Sequence, residues 1–177
     1  IMYDRVKKIA EAAAMMANVD YEMELISGIY EIIPNRFGAS IIQDNFKILG
    51  EIKYTDSEVN YANTILRETG KELKGLDGKI KPIKPTLPAP GGSTDVGDVS
   101  QVVPVVRLST TTAAKDGPWH SWAVVACTGM SIGHKGMIYA TKALAMTMLD
   151  LYKNPKMIDG VRKEFVERKG DRVYVPQ

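Results

Sequence analysis

Apolar residues recur every three or four positions in five stretches of the chain, which is the spacing of one face of a helix. This pattern predicts helices over residues 4–17, 37–49, 55–69, 134–152 and 156–168. The third helix is supported by the run from Thr55 to Glu58, which offers a hydroxyl cap with a nearby acid. The fourth carries Met137, Leu144 and Met148 on one face and many alanines elsewhere. We therefore expect it to be largely buried.

Two other stretches have the pattern of strands. Residues 21–33 begin with alternating polar and apolar positions and keep strand propensity until Pro34. Residues 102–108 form a short apolar run, in which Pro104 favours an edge or a bulge. A helix followed by one long strand is typical of a small α+β unit, but the unit is incomplete because a lone strand has no partners. The Pro- and Gly-rich stretch 71–90 reads as a surface connector rather than a ligand for a proline-binding module.

The composition is that of one ordinary globular domain. The chain has 177 residues, 45% of them hydrophobic and 25% charged, and its 23 Lys and Arg nearly balance its 21 Asp and Glu. Such a balance argues against a nucleic-acid surface or a polybasic membrane patch. A single cysteine fits a reducing compartment, so we expect a cytoplasmic protein. A native product normally begins with Met, so the start at Ile1 favours a cut edge.

The candidate chemistry lies in two short runs. Residues 92–100 combine glycines and hydroxyls with Asp95 and Asp98, and residues 119–122 place His120 between two tryptophans. Carboxylates and an imidazole are metal ligands, but a catalytic zinc takes about three protein ligands plus an open position for water. Few other nitrogen or sulfur ligands are present. The sequence therefore indicates part of a metal site.

Each candidate also has a purely structural interpretation. A lone histidine such as His120 is more often packed with its nitrogens satisfied than bound to a metal. Asp95 and Asp98 could cap local amides in turns, or one of them could border a metal centre. His134 fits the first turn of a helix, where free amides could also dock a substrate carboxylate. Cys127 lies in an apolar stretch, which favours a buried small residue over a nucleophile.

Four motifs in order resemble a known family. They are Gly-Ser-Thr-Asp-Val-Gly-Asp-Val-Ser at 92–100, Val-Pro at 103–104, Trp-His-Ser-Trp at 119–122 and Ser-Ile-Gly-His-Lys-Gly-Met at 131–137. Together they are similar to the C-terminal part of metal-dependent amidohydrolases, the aminoacylase and carboxypeptidase class of co-catalytic metallopeptidases, and closest to its aminobenzoyl-glutamate utilisation branch. The match is specific in the last hundred residues and weaker before Phe37.

The resemblance implies an α/β fold, the C-terminal part of a three-layer αβα metallopeptidase catalytic domain. Residues 1–34 would be the end of an α+β lid domain that mediates dimerisation, and residues 35–177 would belong to the catalytic domain. The implied partner is an identical or a homologous subunit, giving a homodimer or a heterodimer. Neither a nucleic acid nor a membrane is implied as a partner.

The resemblance also implies a site. The family's final metal ligand falls on His120, and the complete enzyme would hold two zinc or manganese ions. Residues implied in substrate binding are Ser93, Thr94, Asp95, Ser121 and His134. The family's other ligands and its general base have no counterpart here, so we expect this chain alone to be inactive, while the parent protein cleaves an amide bond in an N-acyl amino acid such as aminobenzoyl-glutamate. The alternative is a naturally short, non-catalytic subunit or binding module that kept the fold but lost the metal site.

Overall fold

The computed structural model describes residues 2–84 and 92–176. Over these residues the chain forms seven α-helices: α1 Met2–Ala17, α2 Arg36–Leu49, α3 Asp56–Glu68, α4 Val96–Val102, α5 Trp122–Thr128, α6 Ser131–Lys153 and α7 Pro155–Lys169. The last part of the predicted connector, residues 85–90, lies outside the described residues. Among the described helices, none combines the length and hydrophobicity needed to cross a bilayer.

The five helices predicted from the apolar spacing are confirmed as α1, α2, α3, α6 and α7. The start of α3 shows why the local sequence specifies it. The Thr55 hydroxyl accepts a hydrogen bond from the Glu58 amide at 3.3 Å, and the Glu58 carboxylate accepts one from the Thr55 amide at 2.7 Å. This reciprocal pair satisfies two amides that a helix start otherwise leaves free. Pro155 begins α7, a position that needs no amide hydrogen.

The two predicted strands do not form within the described residues. Residues 21–33 and 103–108 have no regular secondary structure, and residue 102 ends the short helix α4. A strand is stable only beside another strand that accepts and donates its backbone hydrogen bonds, and no described segment supplies one. The α/β architecture therefore stays a prediction. The apolar residues from Trp122 onward form the short helix α5, which the apolar spacing did not predict.

The helices pack around two sets of contacts. The first is a buried cluster joining α3, α5, the start of α6 and the loop before α5, formed by Ala62, Ile65, Leu66, Ala114, Ala123, Cys127 and Ile132. The second joins α2 to α6 and α7. There the buried Asn45 side chain donates to the Thr147 hydroxyl at 3.1 Å and to the Asp150 carboxylate at 2.8 Å. Each polar group in this contact is paired, as burial requires.

The buried face of α6 is not the predicted one. The helix buries Gly133, Gly136, Ala143 and Thr147, together with Ile132. Met137 and Met148 are 55% and 57% exposed and Leu144 is 44% exposed. Small side chains let the helix approach its neighbours closely, since a Cβ at Gly136 would overlap the Thr111 carbonyl oxygen. The prediction that the methionine and leucine face is buried is wrong for the described residues.

Candidate functional site

A tight turn before α5 presents His120. Ser121 is the N-cap of α5, and its hydroxyl accepts from the Ala123 amide at 3.3 Å while donating to the Pro118 carbonyl at 2.6 Å. Both Asp116 and His120 have a backbone φ of 58°, in the left-handed region. The Ser121 hydroxyl, predicted to bind substrate, thus holds the turn in which His120 lies.

The backbone of His120 is held in a conformation that few residues other than glycine adopt. A left-handed residue with a side chain costs on the order of 1 kcal/mol, and such conformations persist where the surrounding structure fixes them. His120 is exposed, and the flanking Trp119 and Trp122 are 69% and 55% exposed. The interpretation of His120 as a packed structural histidine is therefore wrong for this structure. Its imidazole is accessible to a ligand.

Ser93, Thr94 and Asp95 lie at the start of α4. Thr94 makes the local turn, since its hydroxyl accepts from the Val96 amide at 3.3 Å. Asp95 is the exposed N-cap residue, but its side chain caps no amide. Ser93 is also exposed. The turn-capping role considered for Asp95 belongs to Thr94, and the Asp95 carboxylate faces solvent.

Helix α4 binds the segment 30–33. The buried Ser100 hydroxyl accepts from the Ile33 amide at 2.9 Å, and the buried Gln101 side chain donates to the Glu31 carbonyl at 2.9 Å. Asp98 accepts from the Tyr30 amide at 3.4 Å. The backbone of α4 approaches the backbone of residue 30 so closely that a Cβ at Gly97 would overlap the Tyr30 carbonyl oxygen. Asp98 thus makes a structural contact at the predicted domain boundary.

The tail of the chain joins this contact. The Tyr30 and Tyr174 rings meet edge to face with centroids 5.4 Å apart, and the Tyr30 hydroxyl donates to the Val175 carbonyl at 3.1 Å. Burial and a hydrogen bond to Asp98 raise the pKa of Tyr174. Roles for Ser100, Gln101 and Tyr174 were not predicted from the sequence; the run of polar residues at 98, 100 and 101 on α4 was the available signal.

A buried carboxylate lies beside the predicted motif at the start of α6. Glu58 accepts from the Ser131 hydroxyl and from the Lys135 amine, each at 2.6 Å. Burial raises the pKa of Glu58, but the hydrogen bonds from Lys135, Ser131 and Thr55 outweigh burial and lower that pKa to about 2. A carboxylate this acidic is a poor general base near neutral pH. Glu58 therefore fixes α3 to α6.

His134 is exposed on the first turns of α6. It lines an open cleft with Lys135, Tyr139 and residues at the end of α2. No described side chain forms a hydrogen bond or ion pair with the His134 imidazole.

The predicted site residues lead into different helices. The turn carrying His120 and Ser121 leads into α5, which packs on α3 and on α6, the helix of His134. Ser93, Thr94 and Asp95 lead into α4, whose side chains bond to residues 30–33. In the described part of the chain no three His, Cys, Asp or Glu residues lie together as a metal site. A metal centre that used His120 would need its other ligands from residues that do not lie beside it in the described chain.

Comparison with known proteins identifies two relatives. The chain is 28% identical to one subunit of the p-aminobenzoyl-glutamate hydrolase of Escherichia coli (strain K12), across 92% of this chain and 39% of that protein. It is 30% identical to Xaa-Arg dipeptidase of Mus musculus, across 88% of this chain and 30% of that protein. The chain is homologous to members of the amidohydrolase and peptidase family. The resemblance predicted from the four motifs is confirmed.

The matches cover only part of each relative. The chain spans about two fifths of the length of the first relative and about three tenths of the second. No family model and no solved structure matches the chain. The relatives are named as a hydrolase and a dipeptidase, and both names describe cleavage of an amide bond.

Proposed function

We propose that this chain is the C-terminal portion of a metal-dependent amidohydrolase that cleaves the amide bond of an N-acyl amino acid such as aminobenzoyl-glutamate. The observation that carries the proposal is the pair of relatives, since a hydrolase and a dipeptidase each match about nine tenths of the chain. Both named substrates are amino acids acylated at nitrogen: glutamate in one relative and arginine in the other. A substrate with an amide bond and a free carboxylate suits both.

In this proposal His120 supplies one metal ligand. Its exposure and its fixed backbone support the assignment, because a ligand that is held in place before binding loses less conformational entropy. Ser121 orients it through the bonds to Pro118 and to the first turn of α5. Two zinc or manganese ions in the complete enzyme would supply an activated water for amide hydrolysis. The general base and the remaining ligands would come from residues outside this chain.

Substrate binding is proposed for Ser93, Thr94, Asp95, Ser121 and His134. Ser93, Asp95 and His134 are exposed, which supports access. The hydroxyls of Thr94 and Ser121 already make local bonds, so their contribution would be to fix neighbouring groups in place.

A partner subunit, identical or homologous, forms part of the proposal. The exposed apolar face of α6, with Met137, Leu144 and Met148, supports it because a contiguous apolar surface of this kind is usually covered in an assembly. We place residues 1–34 in a dimerisation lid and residues 35–177 in an α/β catalytic domain. We further propose that the enzyme acts in the cytoplasm.

The proposal is tested by assaying the complete protein and the 177-residue chain side by side. Each is loaded with zinc or manganese and given p-aminobenzoyl-glutamate, and release of the aryl acid is followed by chromatography. We expect the complete protein to cleave the substrate and to lose activity with a chelator, while the chain alone is inactive. A substrate whose glutamate carboxylates are blocked as amides serves as the matched control and should react more slowly.

Two results would contradict the proposal. Failure of the metal-loaded complete protein to cleave any N-acyl amino acid would favour the non-catalytic binding module. Full activity of the 177-residue chain would show that the catalytic groups lie within it.

A further inference from the structure

A cleft between the end of α2 and the exposed side of α6 combines apolar walls with cationic groups. Its volume is about 480 Å³, within the range of small-molecule sites. Leu49, Ile52 and Ile138 provide apolar surface. His120 does not line this cleft.

The lysines of the cleft differ in whether a nearby carboxylate already balances their positive charge. The charge of Lys135 is already balanced, because its amine donates to the Glu58 carboxylate at 2.6 Å and to the Lys53 carbonyl at 3.0 Å. Lys53 pairs with Glu51 at 3.4 Å, but the two side chains are 84% and 46% exposed, so water weakens the pair. Lys142 forms no ion pair within the described chain. Positive charge is therefore available at Lys142 and in part at Lys53.

Three of the side chains that line the cleft lie in a row along α6. His134, Ile138 and Lys142 follow one another at four-residue steps, so they lie along one side of the helix. Each step rises about 6 Å, which places Ile138 between a hydrogen-bonding imidazole and an ammonium group. All three line the cleft. A ligand that complements this row needs an apolar body for Ile138 and an anionic group for Lys142.

We propose that this cleft binds a small carboxylate that carries a bulky apolar group. The carboxylate pairs with Lys142, with Lys53 nearby, and the apolar group packs on Ile138, Leu49 and Ile52. The apolar walls strengthen the attraction because they exclude water from one side of the ion pair. An inorganic anion has no apolar part, and a neutral apolar molecule leaves the lysines without a counter-charge. His134, which we place in substrate binding, also lines this cleft, but the contacts proposed here are made by Lys142 and the apolar walls, so binding does not depend on the complete protein being a hydrolase.

The test is a titration of the full protein with cyclohexanecarboxylate, followed by calorimetry and by methyl NMR signals of the isoleucines. Cyclohexanecarboxamide, which has the same shape without the charge, and acetate, which has the charge without the ring, are matched probes. We expect cyclohexanecarboxylate to bind at least roughly fivefold more tightly than either, about 1 kcal/mol. Binding should weaken as salt is raised.

Three variants locate the site. Lys142→Gln should weaken binding roughly fivefold, as expected for loss of one exposed charge pair worth about 1 kcal/mol. Ile138→Glu should abolish binding, since it places a negative charge on the wall. Lys156→Gln, an exposed change on α7, should leave binding unaltered. The two cleft side chains are exposed, so helix content by circular dichroism should be unchanged in every variant.

Other outcomes would overturn the proposal. Equal binding of the amide probe would show that the lysines contribute nothing, and equal binding of acetate would reduce the site to general anion attraction. Unchanged affinity in Lys142→Gln or Ile138→Glu would place the ligand elsewhere.

Discussion

Glu58 gives the sharpest test of how the structure is held together. Its side chain is 9% exposed and joins α3 to α6 through Ser131 and Lys135. Glu58→Gln keeps the size of the side chain and an acceptor for the Thr55 amide, but removes the charge. We expect the variant to fold with a lower free energy of unfolding, because Lys135 loses its counter-charge.

The expected loss follows from the pKa. The pKa of Glu58 falls from 4.5 to about 2 on folding, and each unit corresponds to about 1.4 kcal/mol, which gives an upper bound of about 3–4 kcal/mol. Lys135 is 37% exposed, so screening by water reduces our expectation to about 1–2 kcal/mol. Because the folded pKa is the lower one, this contribution is complete above pH 4.5 and is lost as pH falls toward 2.

The assay is urea unfolding followed by circular dichroism at neutral and at acidic pH. The wild type should lose this part of its stability in acid. The difference in free energy of unfolding between the wild type and Glu58→Gln should therefore shrink toward zero. Glu167→Gln is the control, since that side chain is 62% exposed and lies 3.9 Å from Lys163. A Glu58→Gln protein as stable as the wild type at neutral pH, or a difference that does not shrink in acid, would refute the reasoning.

Three further predictions follow from buried contacts. Asn45→Ala removes two hydrogen bonds to α6 and should lower the free energy of unfolding by about 2–3 kcal/mol in urea titration; a loss below about 0.5 kcal/mol would contradict this. Gly97→Ala would drive a Cβ into the Tyr30 carbonyl oxygen, so hydrogen exchange of residues 30–33 should accelerate; unchanged exchange would show that this contact is dispensable. Cys127 is fully buried and burial raises the pKa of its thiol, so Ellman's reagent should react only after unfolding, and immediate reaction in the native protein would count against the buried cluster between α3, α5 and α6.

Local sequence signals were sufficient for the five longer helices but did not predict the short helices α4 and α5. The Thr55 and Glu58 cap and the proline at the start of α7 act within one turn of the chain, so their effect does not depend on distant residues. The same holds for Ser121, whose hydroxyl bonds only to residues two and three positions away.

Features that depend on distant partners could not be derived in this way. Strand pairing for residues 21–33 needs a neighbouring strand, which the pattern of one segment cannot supply. Which face of α6 is buried depends on the distant segments that pack against it: α2, α5 and α7 contact this helix, and the Thr111 carbonyl leaves no room for a Cβ at Gly136. The left-handed backbone of His120 is likewise not encoded in the spacing of apolar residues.

The candidate site was predictable in part. The motif around His120 was found from the sequence, and the two relatives confirm the family that it indicated. The contact of Ser100 and Gln101 with residues 30–33 was missed, since it joins positions about 70 apart. That Asp95 leads into a helix bonded to residues 30–33, whereas His120 leads into α5, was equally invisible in the spacing.

We propose that His120 binds a catalytic metal in the complete protein. It is tested most directly by measuring bound zinc and manganese by mass spectrometry in wild type, His120→Ala and the control Lys156→Ala, with circular dichroism to confirm folding. We predict that His120→Ala stays folded but loses bound metal and amide hydrolysis together, while the control keeps both. Full metal content and full hydrolysis in His120→Ala would contradict the account.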